Sequence, residues 1–202
     1  MPDSVVTEDY GKHVIKSALL KNVWTARAFR GYIVVTTQSG LNRDAAIAQV
    51  KLELARIGDK ELSEQSSDGA PPSRVYLGAF QRLDQFFPES YRAMLRAHLQ
   101  ADDYMISANR LAKAANFDNW SAANLHYGKL ARRVAEDIGY EPPERENGTP
   151  IWTYAIAKAP DADADNLDQA QLYAALERHL EAPHFEWLLR PQVVEALKSL
   201  GY

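Results

Sequence analysis

The sequence predicts an α+β protein: a small N-terminal β-β-α unit followed by a mainly helical domain of helix-turn-helix or winged-helix-like type. Three observations predict it. Residues 13–37 are dense in Val, Ile, Trp, Phe, Tyr and Thr, the side chains that suit a pleated, half-buried surface. Ala46, Ile47, Val50, Leu54 and Ile57 then recur at helical spacing. After a polar stretch rich in Ser, Gly and Pro, the rest of the chain is dominated by apolar residues three and four apart.

Taken in order, residues 1–11 are polar and are expected to fray. Two strands are expected, a broken one over 14–29 and a second over 32–37, with Arg30-Gly31 as the tight-turn signal between them. Asn42 or Ser39 can cap a helix over 43–57, which Gly58 would end. The β-β-α unit is thus assigned to 12–58, and DKELSEQSSDGAPPSR, 59–74, is read as a linker.

The helical domain is assigned to 75–202. Residues 75–100 predict two helices, one with the stripe Tyr76, Phe80, Leu83 and Phe87, and one begun by Pro88, whose missing N–H costs nothing in a first turn. Helices over about 107–115 and 119–138 follow. EPPERENGTP is a loop with a turn signal at Asn147-Gly148, Ile151–Ala157 alternates like a strand, and 167–181 is an amphipathic helix after the polar loop KAPDADADN. FEWLLRPQVVEALKSLGY reads as a short strand and a helix begun by Pro191.

The segment that points to function is Ser107 to Tyr140. Leu111-Ala112 offers a small residue where a second helix can cross, Asn116 tolerates the left-handed conformation a tight turn needs, and Phe117 can fill the angle between helices. Asp118 or Ser121 can cap the second helix. That helix has two faces. Ala123, Tyr127, Leu130, Val134 and Ile138 fall on one, whereas Ser121, Leu125, Lys129 and Arg132 fall on the other. A face of this kind can enter a DNA major groove, with Lys129, Arg132 and Arg133 meeting phosphates or guanine edges and Ser121, Asn124 and His126 adding polar contacts. A β wing at 140–158 would bring Arg145 and Lys158 to the backbone. The countervailing number is charge. From Tyr91 to Tyr140 seven Lys/Arg stand against five Asp/Glu, and outward cations are also the usual solvated face of a helix.

The stretch MLRAHLQADDYMISANRLAKAANFDNWSAANLHYGKLARRVAEDIGY resembles a domain that recurs in uncharacterised bacterial proteins linked to HNH-type or modification-dependent restriction systems. The matching points are Met94 through His98, Leu111-Ala112, Ala123-Asn124-Leu125, Tyr127-Gly128 and a closing Trp187, Arg190-Pro191, Ala196-Leu197 and Gly201. The resemblance spans about 76–202 and implies a DNA-associated role. The chain departs from the nuclease-bearing examples in lacking an HNH metal site, and the N-terminal unit is not covered. Its VWTARAFRGYIVV and DAAIAQVKLELA patterns look like small antitoxin-type sheets.

Composition narrows the classes. The chain of 202 residues carries a net charge of −4, so nucleic-acid contact would need a local basic patch. It has no cysteine, which excludes disulfides, thiolate metal sites and cysteine nucleophiles and suits a cytoplasmic protein. No signal peptide and no run near the ~18 apolar residues of a membrane span is visible. The five histidines, at 13, 98, 126, 179 and 184, form no metal-binding spacing. His98 and His126 lie on neighbouring helices and could meet, although two ordinary half-buried imidazoles are the plainer reading. Asp161, Asp163 and Asp165 open like a calcium loop, but Asn166 stands where Gly is required and Leu172 where a bidentate Glu belongs. No phosphate loop, dinucleotide fingerprint or nucleophile elbow is present. We therefore expect no cofactor and no metal. The expected function is a DNA-binding or DNA-associated accessory protein of a bacterial or phage system, acting on double-stranded DNA. The alternative is a protein-interaction module or inhibitor that docks a partner protein, and an enzyme is the reading with least behind it.

Overall fold

The computed structural model describes residues 5–145, 147–160 and 186–202. The chain divides into two compact units, Met1–Ser63 and Glu64–Tyr202. The helix expected over 167–181 and the Asp161–Asp165 loop lie outside the described residues.

The first unit is a four-stranded antiparallel meander and one helix. Its strands are β1 (Val6–Tyr10), β2 (His13–Leu20), β3 (Val23–Arg30) and β4 (Ile33–Gly40), in that spatial order. The expected β-β-α unit therefore has twice as many strands. The single broken strand over 14–29 is a hairpin that turns at Lys21 and Asn22, both with positive φ (50° and 62°), the demand of a type I′ turn. No glycine marks that turn, so it leaves little trace in the sequence. The supposedly frayed residues 6–10 form an edge strand, and their polarity suits an edge. The Gly11 and Gly31 turns have positive φ at the glycine (56° and 61°), and neither following residue shares it.

Helix α1 (Arg43–Ser63) covers one face of this sheet. Asn42 caps it, its Oδ1 accepting from the Ala45 N–H at 2.8 Å. Gly58 does not end α1; the helix runs on to Ser63, into the stretch expected to be linker. The buried residues Ile15, Ala26 and Ala28 from the sheet meet Ala46, Val50 and Leu54 from the helix. Gly40 is required where β4 turns into α1, because a Cβ there would stand 2.4 Å from the Ala46 nitrogen.

The second unit begins with an ordered turn. Ser66 Oγ donates to Asp68 Oδ1 at 2.6 Å, and Ala70 and Pro71 are buried, so this part of the expected linker belongs to the fold. Then come α2 (Ser73–Leu83), α3 (Glu89–Leu99), β5 (Met105–Ser107), α4 (Ala108–Ala115), α5 (Trp120–Ile138), β6 (Ala157–Lys158), β7 (Glu186–Leu189) and α6 (Pro191–Ser199). The three short strands form an antiparallel sheet in the order β5-β7-β6. Pro191 opens α6 in its first turn.

The expected wing at 140–158 is not a hairpin of two strands. Among its described residues there is one internal bridge, Glu144 to Pro150, Trp152–Ala155 is a 3₁₀ turn, and β6 at its end pairs with β7 instead. The reason lies in its burial. Ile151 and every residue from Thr153 to Ala157 are buried, whereas a strand with one wet face would alternate. The carbonyls are spent elsewhere: Tyr76 Oη donates to Ala155 O at 2.6 Å, Arg190 Nε to Tyr154 O at 2.6 Å, and the Arg190 N–H to Ile156 O at 3.0 Å.

Long-range polar pairs tie this unit together. Arg82 Nε donates to Asp137 Oδ1 at 3.0 Å, joining α2 to α5. Arg190, only 2% exposed, donates to Asp68 Oδ2 at 2.6 Å and to Tyr140 Oη at 3.1 Å. Burial alone would lower the Arg190 pKa, but the neighbouring Tyr140, Tyr76 and Asp68 hold it above its usual range. His98 is fully buried, with Nδ1 against Tyr127 Oη and Nε2 2.8 Å from the Trp187 carbonyl. A carbonyl only accepts, so the neutral ring carries its proton on Nε2, and Nδ1 accepts from Tyr127.

Candidate nucleic-acid interface

The interface is built on the turn between α4 and α5. Ser107 caps α4, accepting from the Arg110 N–H at 3.4 Å. Asn116 ends it in the left-handed conformation, φ 55° and ψ 42°, and the Phe117 N–H returns to Ala112 O at 2.9 Å. The cap of α5 is Asn119, one residue from the expected Asp118 and two from Ser121; its Oδ1 accepts from the Ala122 N–H at 2.9 Å. Ala123, Tyr127, Leu130, Val134 and Ile138 are buried as their spacing predicts, with Ala131 and Ala135 beside them.

The opposite side of α5 borders a cleft of about 420 Å³. Asn124, Leu125, Gly128, Lys129 and Arg132 line it from the helix, Arg145 and Pro150–Thr153 from the loop, and Trp187 from β7. The loop lies beside Gly128, where a Cβ would make an ordinary contact with Thr153 Oγ1 at 4.0 Å. Arg145 is placed by a tight turn in which its N–H donates to Thr149 O at 2.9 Å and its carbonyl accepts from the Gly148 N–H at 2.8 Å.

Four of the eight expected contact residues, Asn124, Lys129, Arg132 and Arg145, thus share one cleft, and among the described residues no carboxylate lines it. Lys129 is exposed. Arg132 lies 5.1 Å over the Trp152 ring and pairs with Glu136 at 2.7 Å, an exposed i,i+4 pair of small energetic weight. Asn124 Oδ1 is buried with no hydrogen-bond partner among the described residues.

The other four lie elsewhere. Ser121 is exposed on the first turn of α5, outside the cleft lining. His126 is not an outward polar contact. Its ring stacks on Phe117 at 4.6 Å and meets Tyr91 edge-on at 6.2 Å, so it fills the helix–helix angle with Phe117. His126 and His98 accordingly have different ring neighbours and do not form a pair. Arg133 points away from the cleft, donating to Phe86 O at 3.3 Å and lying 5.8 Å over Tyr91. Lys158 is half-buried in β6 and does not line the cleft.

Several residues at this surface carry no signal in a cation-centred reading. Trp120 and Leu125 stand exposed (41% and 57%) on the first two turns of α5, and Trp152 and Trp187 wall the cleft. Among the described residues no group of His and carboxylate side chains is placed to hold a metal, and no helix is long and apolar enough to cross a membrane. No protein-family model, curated protein or solved structure matches the chain.

Proposed function

We propose that the protein is a DNA-binding or DNA-associated accessory protein that presents α5 to double-stranded DNA as the second helix of a helix-turn-helix. One observation carries the reading: Lys129, Arg132 and Arg145 converge on one cleft, with no carboxylate among the described residues that line it. Three cations on one rim suit a phosphate backbone, and Asn124 beside them offers a carboxamide of the kind that reads adenine. The element order helix-strand-helix-helix-strand-strand and the sheet order β5-β7-β6 also support a winged-helix-like arrangement. The resemblance of 76–202 to domains of restriction-linked proteins points the same way.

The test is duplex binding by the full chain. Lys129→Ala with Arg132→Ala should weaken binding and flatten its salt dependence, the slope of log K against log salt losing about 0.9 for each phosphate contact removed. Wild-type protein that shifts no duplex at low salt ends this reading.

A second reading, docking of a partner protein, draws on a different observation. Trp120 and Leu125 lead α5 as exposed apolar side chains, and the connection from β6 to β7 carries Asp161, Asp163, Asp165, Asp168, Glu177 and Glu181 against Arg178. That acidity would repel phosphate. Recovery of one stoichiometric protein partner, insensitive to nuclease and lost with Trp120→Ala, would select it.

A further inference from the structure

The first unit carries a second cationic surface, independent of α5. Between Asp9 and Asp44 the sequence holds six Lys/Arg and not one Asp or Glu, and that stretch contains β2, β3 and β4 with their turns. Across the whole chain the signs are divided. Residues 1–63 have nine Lys/Arg against seven Asp/Glu, and residues 64–202 have fourteen against twenty. The net negative charge of the chain therefore hides a basic sheet.

The ladder shows where those cations stand. Ile15, Ser17, Ala26 and Ala28 are buried on the side of α1, so the alternate positions form the opposite, open face. On that face Thr7 pairs with Lys16, Lys16 with Arg27, and Arg27 with Thr37. One row, Thr-Lys-Arg-Thr, crosses all four strands, and all four residues are exposed. Two cations directly opposite each other destabilise a sheet. Among the described residues neither has a carboxylate partner: Lys16 Nζ instead lies 5.3 Å over the Phe29 ring on the same face. Glu8 faces the other way and pairs with Lys51 of α1, which leaves Asp9 on the edge strand as the one acid at these strand positions on the open face. A like-charge pair kept at the centre of a sheet, with no carboxylate paired to either cation among the described residues, is a local rule broken.

We propose that the open face of this sheet docks the phosphate backbone of duplex DNA, with Lys16 and Arg27 astride the phosphates and the Thr7 and Thr37 hydroxyls bonding their oxygens. Strands some 4.8 Å apart present the two cations to neighbouring phosphates of one backbone, and the hydroxyls beside them are ordinary phosphate ligands. A duplex is favoured over a single strand because the face presents no open aromatic platform for bases to stack on. At the strand positions of that face the one ring is Phe29, half-buried under Lys16.

The experiment titrates the full chain, wild type and Lys16→Gln with Arg27→Gln, against a fluorescent mixed-sequence duplex over a range of salt. The expected result is a roughly tenfold loss of affinity at low salt and a salt slope shallower by about 1.8, two phosphate contacts at 0.9 each. The double variant should melt no lower than wild type, because it removes a repulsion; Lys16→Gln alone serves if the pair misfolds, with half the change in slope. Unchanged affinity and slope in the folded variant overturn the proposal. So does wild-type binding to polyglutamate equal to that for DNA, or loss of self-association with DNA affinity intact, which would assign the face to a second copy of the chain. Loss of binding in the Lys129→Ala, Arg132→Ala variant with full retention in the sheet variant also overturns it, while leaving the α5 reading in place.

Discussion

The two units of this protein solve the same problem at different range. In the first, each strand pairs with its sequence neighbour through a two-residue turn, and the core is thin: Ile15, Ala26, Ala28, Ala46, Val50 and Leu54. In the second, large side chains from distant segments meet, among them Tyr76, Phe80, Met94, Tyr127 and Trp187, and Arg82, His98 and Arg190 are buried with them. Short turns make contacts cheap in entropy and need little core. A core drawn from across a chain must satisfy the polar groups it buries, and doing so over-determines the arrangement. The difference teaches where each unit is fragile: the first at its turns, the second at its buried polar groups.

The largest way to break that comparison is Arg190→Ala. It strands Asp68, the Tyr140 hydroxyl and the Tyr154 carbonyl, and removing one partner of a buried ion pair costs about 3–5 kcal/mol. Calorimetry or hydrogen exchange should show residues 64–202 losing that stability with the sheet of 6–40 unaffected. A loss below about 1 kcal/mol would mean the cluster is incidental.

The next effect is a pH dependence confined to the second unit. Burial pushes the His98 pKa down to about 4, although the Trp187 and Tyr104 carbonyls favour the proton. The unfolded chain binds that proton near pH 6.5 and the folded one does not, so stability is full above 6.5 and falls as pH drops toward 4. The loss reaches about 3 kcal/mol at most. His98→Gln should flatten this slope; a slope that survives the substitution would place its origin in other groups.

The smallest effect sharpens the view of the first unit. Lys21 holds φ 50° at the first position of its turn, a conformation that Asn adopts more readily. Lys21→Asn should stabilise the sheet by about 0.5 kcal/mol, read as a higher denaturant midpoint for residues 6–40. No change, or a loss, would show that the turn is not where this unit is strained.

How much of this was legible in the sequence depended on whether the signal was local. The stripe Ala123, Tyr127, Leu130, Val134, Ile138 and the left-handed Asn116 are statements about neighbours within a few residues, and both stand in the structure. The Lys21-Asn22 turn was missed because it uses no glycine. The strand expected at 151–157 failed because an apolar run buried on every side looks, over seven residues, like one buried on alternate sides. His126 was assigned outward because its helical phase allows it, and only the position of Phe117 and Tyr91 turns it into packing.

The mixed α+β class, the periodicity of the helices and the division of charge between the two halves follow from residue order, because each depends on residues close along the chain or on a count. Folding is what makes Asn124, Lys129, Arg132 and Arg145 border one cleft, pairs Asp68 with Arg190, and sets Lys16 opposite Arg27 across a hairpin. Those are meetings between segments, and whether two segments meet is set by which partner satisfies every other buried group at once, a condition no stretch of sequence carries alone.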